Sequence, residues 1–352
     1  MSDHSIRFLY LSQEDLIEAG AFDLPMAMQA ARKGLLDYRQ GRILFPDKIV
    51  QIFKQETQER INCLPATLLD EKICGVKWVS VFPPNPARYG VQNLSAITVL
   101  SEIEKGFPVC VMDGTLCSNI RVAAMGALAA EHLARRDVRT IGLIGAGEQA
   151  KMHLLGMKSV RPGLDTCYVA AKETHEEADF IRDLQPLLPD MRFIACNTVL
   201  SAAIESSDII VTATSAQAPL LKAAWIRKGT FYSHIGGWEE EFAVPKLADK
   251  IVCDDWETVK HRTQTLSRAY KAGEITDGDI HANLVDLLDG SKPGRENDDE
   301  FTYFNAVGLA YVDVSIAYAM YQRAREAGVG TEMAMQQSMI FEKTNLRDKI
   351  RL

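Results

Sequence analysis

The chain has 352 residues, with 39 Lys and Arg against 47 Asp and Glu and a formal charge of -8. Its 47% hydrophobic and 24% charged residues describe a folded globular protein rather than a disordered one, long enough for two domains at about 150 residues each. Mild acidity excludes the basic footprint of a nucleic-acid-binding protein, and no apolar run approaches the roughly 18 residues that cross a bilayer. Met1-Ser2-Asp3-His4 opens no basic-then-apolar signal, so a soluble cytoplasmic protein is expected. The seven cysteines form no CxxC pair and the seven histidines no HxH or HxxxH spacing, so no metal site is expected.

Arg7 to Leu11 reads as a short strand. Ser12, with Asp15 three residues on, forms a capping-box pattern that opens a helix. Asp23-Leu24-Pro25 opens a second, in which Met26, Ala30, Ala31 and Leu35 recur at helical spacing. Strands are predicted at Lys48 to Phe53, Arg60 to Ala66, Gly75 to Phe82 and Ser95 to Ser101. Phe82-Pro83-Pro84-Asn85-Pro86 is predicted as rigid loop, because proline removes ladder donors. From Arg139 the pattern changes to regular alternation. Strands are predicted at Thr140 to Ile144, Thr166 to Ala171, Arg192 to Cys196, Asp208 to Thr212, Thr230 to Ile235 and Lys250 to Cys253, with helical connections between several. Such βαβ alternation implies a parallel sheet covered by helices on both faces. Ser291 to Glu300 is a polar loop, and Phe304 to Arg325 reads as one long helix returning toward the first domain.

Gly145-Ala146-Gly147-Glu148-Gln149-Ala150 fits G-x-G-x-x-[GA] directly after a predicted strand and at a helix start. The first glycine suits a tight turn, the second lets the backbone approach a pyrophosphate, and the small Ala150 permits close packing of helix on sheet. The helix N-terminus adds N–H donors and the positive end of its dipole. With the downstream βα units, the fold class is α/β, a Rossmann-type doubly wound parallel sheet that binds a dinucleotide. An acid about 20 positions on would hold the ribose hydroxyls of NAD. Here the second strand ends Val169-Ala170-Ala171-Lys172-Glu173, so Lys172 favours the 2′-phosphate of NADP while Glu173 keeps NAD open. Thr212-Ala213-Thr214, at the end of the fourth strand of this domain, lies where such sheets bind their ligand.

Gly75-Val76-Lys77-Trp78, Asn119-Ile120-Arg121-Val122-Ala123-Ala124 and Ile144-Gly145-Ala146-Gly147 together resemble the ornithine cyclodeaminase/μ-crystallin family over nearly the whole chain. Across Val252-Cys253-Asp254-Asp255-Trp256 and Pro293 to Glu300 the sequence is similar to that family's N-(2-amino-2-carboxyethyl)-L-glutamate dehydrogenases, which form 2,3-diaminopropionate. The resemblance implies a homodimer. Residues 1–124, completed by 315–352, would form an α+β substrate-binding and dimerisation domain, with the Rossmann domain, 125–314, inserted in it. It also implies hydride transfer between NAD(P) and the α-carbon of a small amino or imino acid.

On that resemblance Lys77 matches the family's active-site lysine, in an apolar strand where desolvation would tune it for proton transfer. Arg121 matches the arginine that grips the substrate carboxylate. Gly308, in Asn305-Ala306-Val307-Gly308, resembles the segment that closes over the nicotinamide. Three positions depart from the family. Lys48 is the nearest cation to the second carboxylate-binding arginine, and Asn62 stands where cyclodeaminases carry a glutamate that holds the substrate amine. Trp238 replaces the aspartate that follows the paired glycines, leaving Glu239 as the catalytic candidate that reaches the same space, although three consecutive glutamates are more often a solvated turn. His234 is a further proton-transfer candidate, or a structural histidine.

The sequence therefore reads as an NAD(P)-dependent oxidoreductase acting on a CH–NH bond, most like the glutamate-adduct dehydrogenases. Ketimine or imino-acid reduction, ornithine cyclodeamination and μ-crystallin-like dinucleotide binding without catalysis are the alternatives. Retention of both Lys77 and Arg121 favours an enzyme.

Overall fold

The computed structural model describes residues 4–339 and residue 349. Two units share the chain. One takes the residues up to Met26, Gln40–Ser118 and those described from Ala310 on; the other takes Ala27–Arg39 and Asn119–Leu309.

The first unit is built on an eight-stranded sheet. Its spatial order is Thr331–Gln336, Ile6–Leu11, Pro108–Asp113, Leu94–Glu102, Ile73–Val81, Glu59–Leu68 and Ile43–Leu44, with Ile49–Lys54 also paired to Glu59–Leu68. The two-residue period of these strands puts Leu64, Gly75, Lys77, Val79, Ala96, Thr98 and Leu100 on one buried face. Helix Ala310–Ala327 covers that face, and a Cβ on Gly75 would stand 2.8 Å from a Val314 methyl. The opposite face is also apolar but open: Trp78 and Ile97, paired across adjacent strands, are 46% and 52% exposed. Ahead of the sheet's interior strands, Ser12 and Asp15 make the expected reciprocal cap, Asp15 N–H to Ser12 Oγ (3.1 Å) and Ser12 N–H to Asp15 Oδ2 (2.8 Å).

The second unit contains eight parallel strands, in the order Arg192–Ala195, Thr166–Ala170, Thr140–Ile144, Ile209–Thr212, Phe231–His234, Thr302–Asn305, Lys250–Cys253 and Ile280–Asn283. This is the doubly wound sheet expected from the alternation. Strand order reverses between Thr140–Ile144 and Ile209–Thr212, which opens a crevice beyond their carboxyl ends. The helix Thr115–Leu133 joins this unit from Asn119 onward, tied to helix Glu148–Val160 by a hydrogen bond from Gln149 Nε2 to Asn119 Oδ1 (2.8 Å).

Two segments differ from the sequence reading. Phe304 to Arg325 is not one helix: Thr302–Asn305 is a fully buried central strand, the chain turns at Gly308 (φ +86°), and the helix starts at Ala310. The run Thr302-Tyr303-Phe304 is β-branched or aromatic and suits a strand packed on both sides, while the positive φ halts any helix. Of the prolines after Phe82, Pro83 and Pro84 stay in a turn, as expected, but Pro86 does not. Pro86 sits in the first turn of a short helix, Asn85–Tyr89, where a missing N–H costs nothing. No helix among the described residues is long and apolar enough to cross a membrane.

Candidate active site

The glycine turn leaves Thr140–Ile144 at the crevice. Gly145 has φ +99°, and its N–H donates to the Ala170 carbonyl (2.9 Å). A Cβ there would stand 2.6 Å from the Ala213 carbonyl oxygen, so only glycine lets this turn meet the loop after the fourth strand. Gly147 caps helix Glu148–Val160 with extended backbone, and no atom lies within 4 Å of where its Cβ would be. Open space at a helix N-terminus is what a pyrophosphate requires. Ala146 is half-buried and Ala150 fully buried, while exposed Glu148 pairs with Lys151 (2.8 Å). Gln149 keeps a buried Oε1 without a hydrogen-bond partner among the described residues. Lys172 is exposed beyond the second strand, with exposed Glu173 beside it. This set fits a dinucleotide.

Behind Thr212–Thr214 lies a buried carboxylate. Glu239, in the short strand Trp238–Glu240, accepts hydrogen bonds from Thr212 Oγ1 (2.7 Å), Thr214 N–H (2.6 Å), Thr214 Oγ1 (2.7 Å) and Gly236 N–H (2.8 Å). Its neighbour Glu240 accepts from Tyr303 OH (2.5 Å) and Tyr232 OH (2.9 Å) and pairs with His234 Nδ1 (2.8 Å). Burial alone would lower the His234 pKa, but the adjacent Glu240 carboxylate, with Glu239 behind it, holds it up at about 9. The solvated-turn reading of Glu239 does not survive. It has no exposure, and both its oxygens are engaged by the two loops. Trp238 stacks on Phe242 (5.9 Å between centroids) under the Arg268 guanidinium (4.9 Å).

Arg121 is half-buried on the helix Thr115–Leu133, and its guanidinium rests on the backbone of Gly308, where a Cβ would stand 3.0 Å from both Nη1 and Nη2. The Gly308 turn is fixed by Asp254, whose Oδ2 accepts from the Val307 (2.9 Å) and Gly308 (2.8 Å) N–H groups. Burial pushes the Asp254 carboxyl up to about 6 against those hydrogen bonds. Nearby His153, lowered to about 4 by burial, is neutral at physiological pH and adds no charge beside Arg121.

In the first unit Lys77 is not a lone desolvated lysine. Its Nζ donates to Asp313 Oδ1 at 2.6 Å, and both residues are buried. Lys77 pairs in register with Leu64 on one side and Thr98 on the other; Asn62 lies two residues along from Leu64 on the same face. Asn62 Oδ1 and Thr98 Oγ1 are buried without hydrogen-bond partners among the described residues. Lys48, half-buried, precedes by two residues Val50, the cross-strand partner of Asn62. Asp313, Thr98 and Asp254 carry no role in the sequence reading. The first had a signal: an acid interrupting an otherwise apolar helix needs a buried partner.

The doubly wound sheet, the open glycine turn at its switch point and the buried lysine–carboxylate pair define a dinucleotide-dependent oxidoreductase. The chain belongs to the ornithine cyclodeaminase/mu-crystallin family, whose model matches residues 11–328. It is 28% identical over 331 residues to N-((2S)-2-amino-2-carboxyethyl)-L-glutamate dehydrogenase of Staphylococcus aureus, which spans 92% of this chain and 98% of that protein. Among solved structures it is similar to Thermococcus litoralis Δ1-pyrroline-2-carboxylate reductase in complex with NADH and L-proline, with TM-score 0.87, 30% identity and coverage of 92% and 99%. An archaeal alanine dehydrogenase dimer with bound NAD gives TM-score 0.85 and 30% identity over 94% of this chain and all of that one (100%).

Proposed function

We propose that this protein moves hydride between a nicotinamide dinucleotide and the α-carbon of an amino or imino acid. The Lys77–Asp313 pair carries the proposal. An apolar pair would stabilise that sheet face at least as well, whereas C–N redox chemistry needs a group that holds a proton near substrate nitrogen. The Gly145–Gly147 turn would hold the dinucleotide by its pyrophosphate, and the bound cofactor would supply or accept the hydride. Arg121 takes the α-carboxylate through its two-pronged guanidinium, with Gly308 as the floor beneath it. Lys77 gives a proton to the substrate nitrogen or takes one from it, and Asp313 orients the ammonium. The orphaned Asn62 Oδ1 accepts a substrate N–H, and Lys48 adds positive charge for a further carboxylate.

The first substrate to offer is N-(2-amino-2-carboxyethyl)-L-glutamate, from the name of the Staphylococcus aureus relative. Hydride leaves the glutamate α-carbon for the oxidised dinucleotide, the nitrogen loses a proton, and water cleaves the resulting imine to 2-oxoglutarate and 2,3-diaminopropionate. Reduction of a small α-imino acid is the second reading, favoured by the relative crystallised with NADH and L-proline. Trp238 in place of an acid argues against the extra nitrogen chemistry of ring-closing deamination. The test follows reduced-nicotinamide absorbance with NAD and NADP in turn, since Lys172 keeps the 2′-phosphate form in contention. Reduced cofactor and 2-oxoglutarate from the adduct support the first reading, and oxidation of NADH by an α-imino acid supports the second. Dinucleotide binding with no turnover on either would overturn the enzyme proposal.

The open face of the sheet exposes Trp78 and Ile97 side by side on adjacent strands. We propose that a second copy covers it, as in a homodimer. Light scattering should give twice the 39.1 kDa chain mass for the wild type and a single chain for Trp78→Glu combined with Ile97→Glu. A monomeric wild type would remove the proposal.

A further inference from the structure

Glu239 ties together two loops at the carboxyl edge of the parallel sheet. Thr212–Thr214 follows the fourth strand of that unit and touches the Gly145 turn through Ala213; Gly236 follows the fifth. The fit is tight, for a Cβ on Gly236 would stand 2.4 Å from Glu239 Oε1 and 2.3 Å from the Thr214 carbonyl oxygen. A carboxylate with no exposure needs a counter-charge. His234 provides it, with Nδ1 at 3.7 Å from Glu239 Oε2 and 2.8 Å from Glu240 Oε2. The Tyr232 hydroxyl donates to Glu240 and lies 2.7 Å from Thr212 Oγ1, so the histidine, both carboxylates and the loop form one buried cluster.

We propose that Glu239 is a positioning residue for the dinucleotide and that His234, paired with Glu240, is the buried group that keeps Glu239 in place. The proposal rests on the dinucleotide reading above. The titratable groups around His234 are Glu239 and Glu240 on the following strand, Tyr232 on its own strand and Tyr303 on the neighbouring one, with Cys253 beyond Tyr303. The two phenols are pushed well above their ordinary range by burial and by Glu240, so they stay neutral. With His234 protonated, the cluster holds one positive charge against two negative ones. When His234 loses its proton, two buried carboxylates face each other with no cation between them. Repulsion between them then turns Glu239 away, which releases the Thr214 and Gly236 N–H groups. Since His234 titrates at about 9, the loop should hold at neutral pH and loosen in alkali.

The test is NADH affinity by fluorescence titration across pH, with circular dichroism at each point to confirm that the protein is folded. The wild-type Kd should stay level to about pH 8 and rise about tenfold by about pH 10. Glu240→Gln should move the break down toward the ordinary histidine value of 6.5, and His234→Gln should remove it, with weaker binding throughout. A role in stability alone would weaken binding without moving the break. A flat wild-type profile, or a break unchanged in both variants, overturns the proposal. A folded wild type that binds neither NADH nor NADPH at any pH overturns the dinucleotide reading instead.

Discussion

Lys77→Met is expected to lower turnover by roughly three orders of magnitude while NADH affinity changes by no more than about twofold. The first number follows from removing the group that carries a proton at substrate nitrogen. The second follows from position: Lys77 lies in the first unit, and the glycine turn with its cap lies in the second. The variant should also lose stability, on the order of 3–5 kcal/mol, because the buried Asp313 carboxylate loses its 2.6 Å contact with the ammonium. That loss can be separated from the catalytic one. Replacing both members, Lys77→Met with Asp313→Leu, removes the buried carboxylate as well and should recover most of the melting temperature. It should recover none of the turnover. Full activity in Lys77→Met, measured by reduced-nicotinamide absorbance, would take Lys77 out of the mechanism. Activity restored in the double variant would show that the pair serves only to stabilise the fold.

The glycine turn was legible because its chemistry is local. A tight turn, a bare approach and a small residue against the sheet are all set within Gly145 to Ala150, and the strand before and helix after them are visible in the same stretch. Asp313 was not legible as a partner for Lys77, since 236 residues separate them and only the register of the sheet with its covering helix brings them together. The glutamates after Gly237 misled for a different reason. Consecutive acids are usually solvated, and nothing in the run announces that His234, two tyrosines and a loop of backbone N–H groups wait to bury the first two. The segment Pro293 to Glu300, which carries much of the resemblance to the glutamate-adduct branch, proves to be a clasp. Arg295 donates to the carbonyls of Leu133, Thr230 and Glu300, and Lys250 pairs with Glu296 and Glu300. Its sequence signature reports how the end of the Arg121 helix is fastened to the sheet, and so speaks to fold before substrate.

Arg121→Gln should raise the KM for the amino- or imino-acid substrate by about a hundredfold, the scale of one lost charge-assisted, two-pronged carboxylate contact. NADH affinity, read by fluorescence, should change little. Arg121→Lys should recover only part of the loss, because an ammonium cannot present two parallel donors. A third variant tests the geometry through a residue that carries no charge. In Gly308→Ala the new Cβ would stand 3.0 Å from both terminal nitrogens of the guanidinium, on a backbone whose φ of +86° already disfavours a side chain. Either Arg121 is displaced or the turn held by Asp254 opens, and both outcomes should raise KM in the same direction as Arg121→Gln. The two changes act on one contact, so the double variant should be no worse than Arg121→Gln alone. Additive losses would mean that Gly308 acts elsewhere, as a cofactor contact independent of the arginine, and an unchanged KM in Arg121→Gln would mean that the carboxylate is held by another cation, with Lys48 the first to replace.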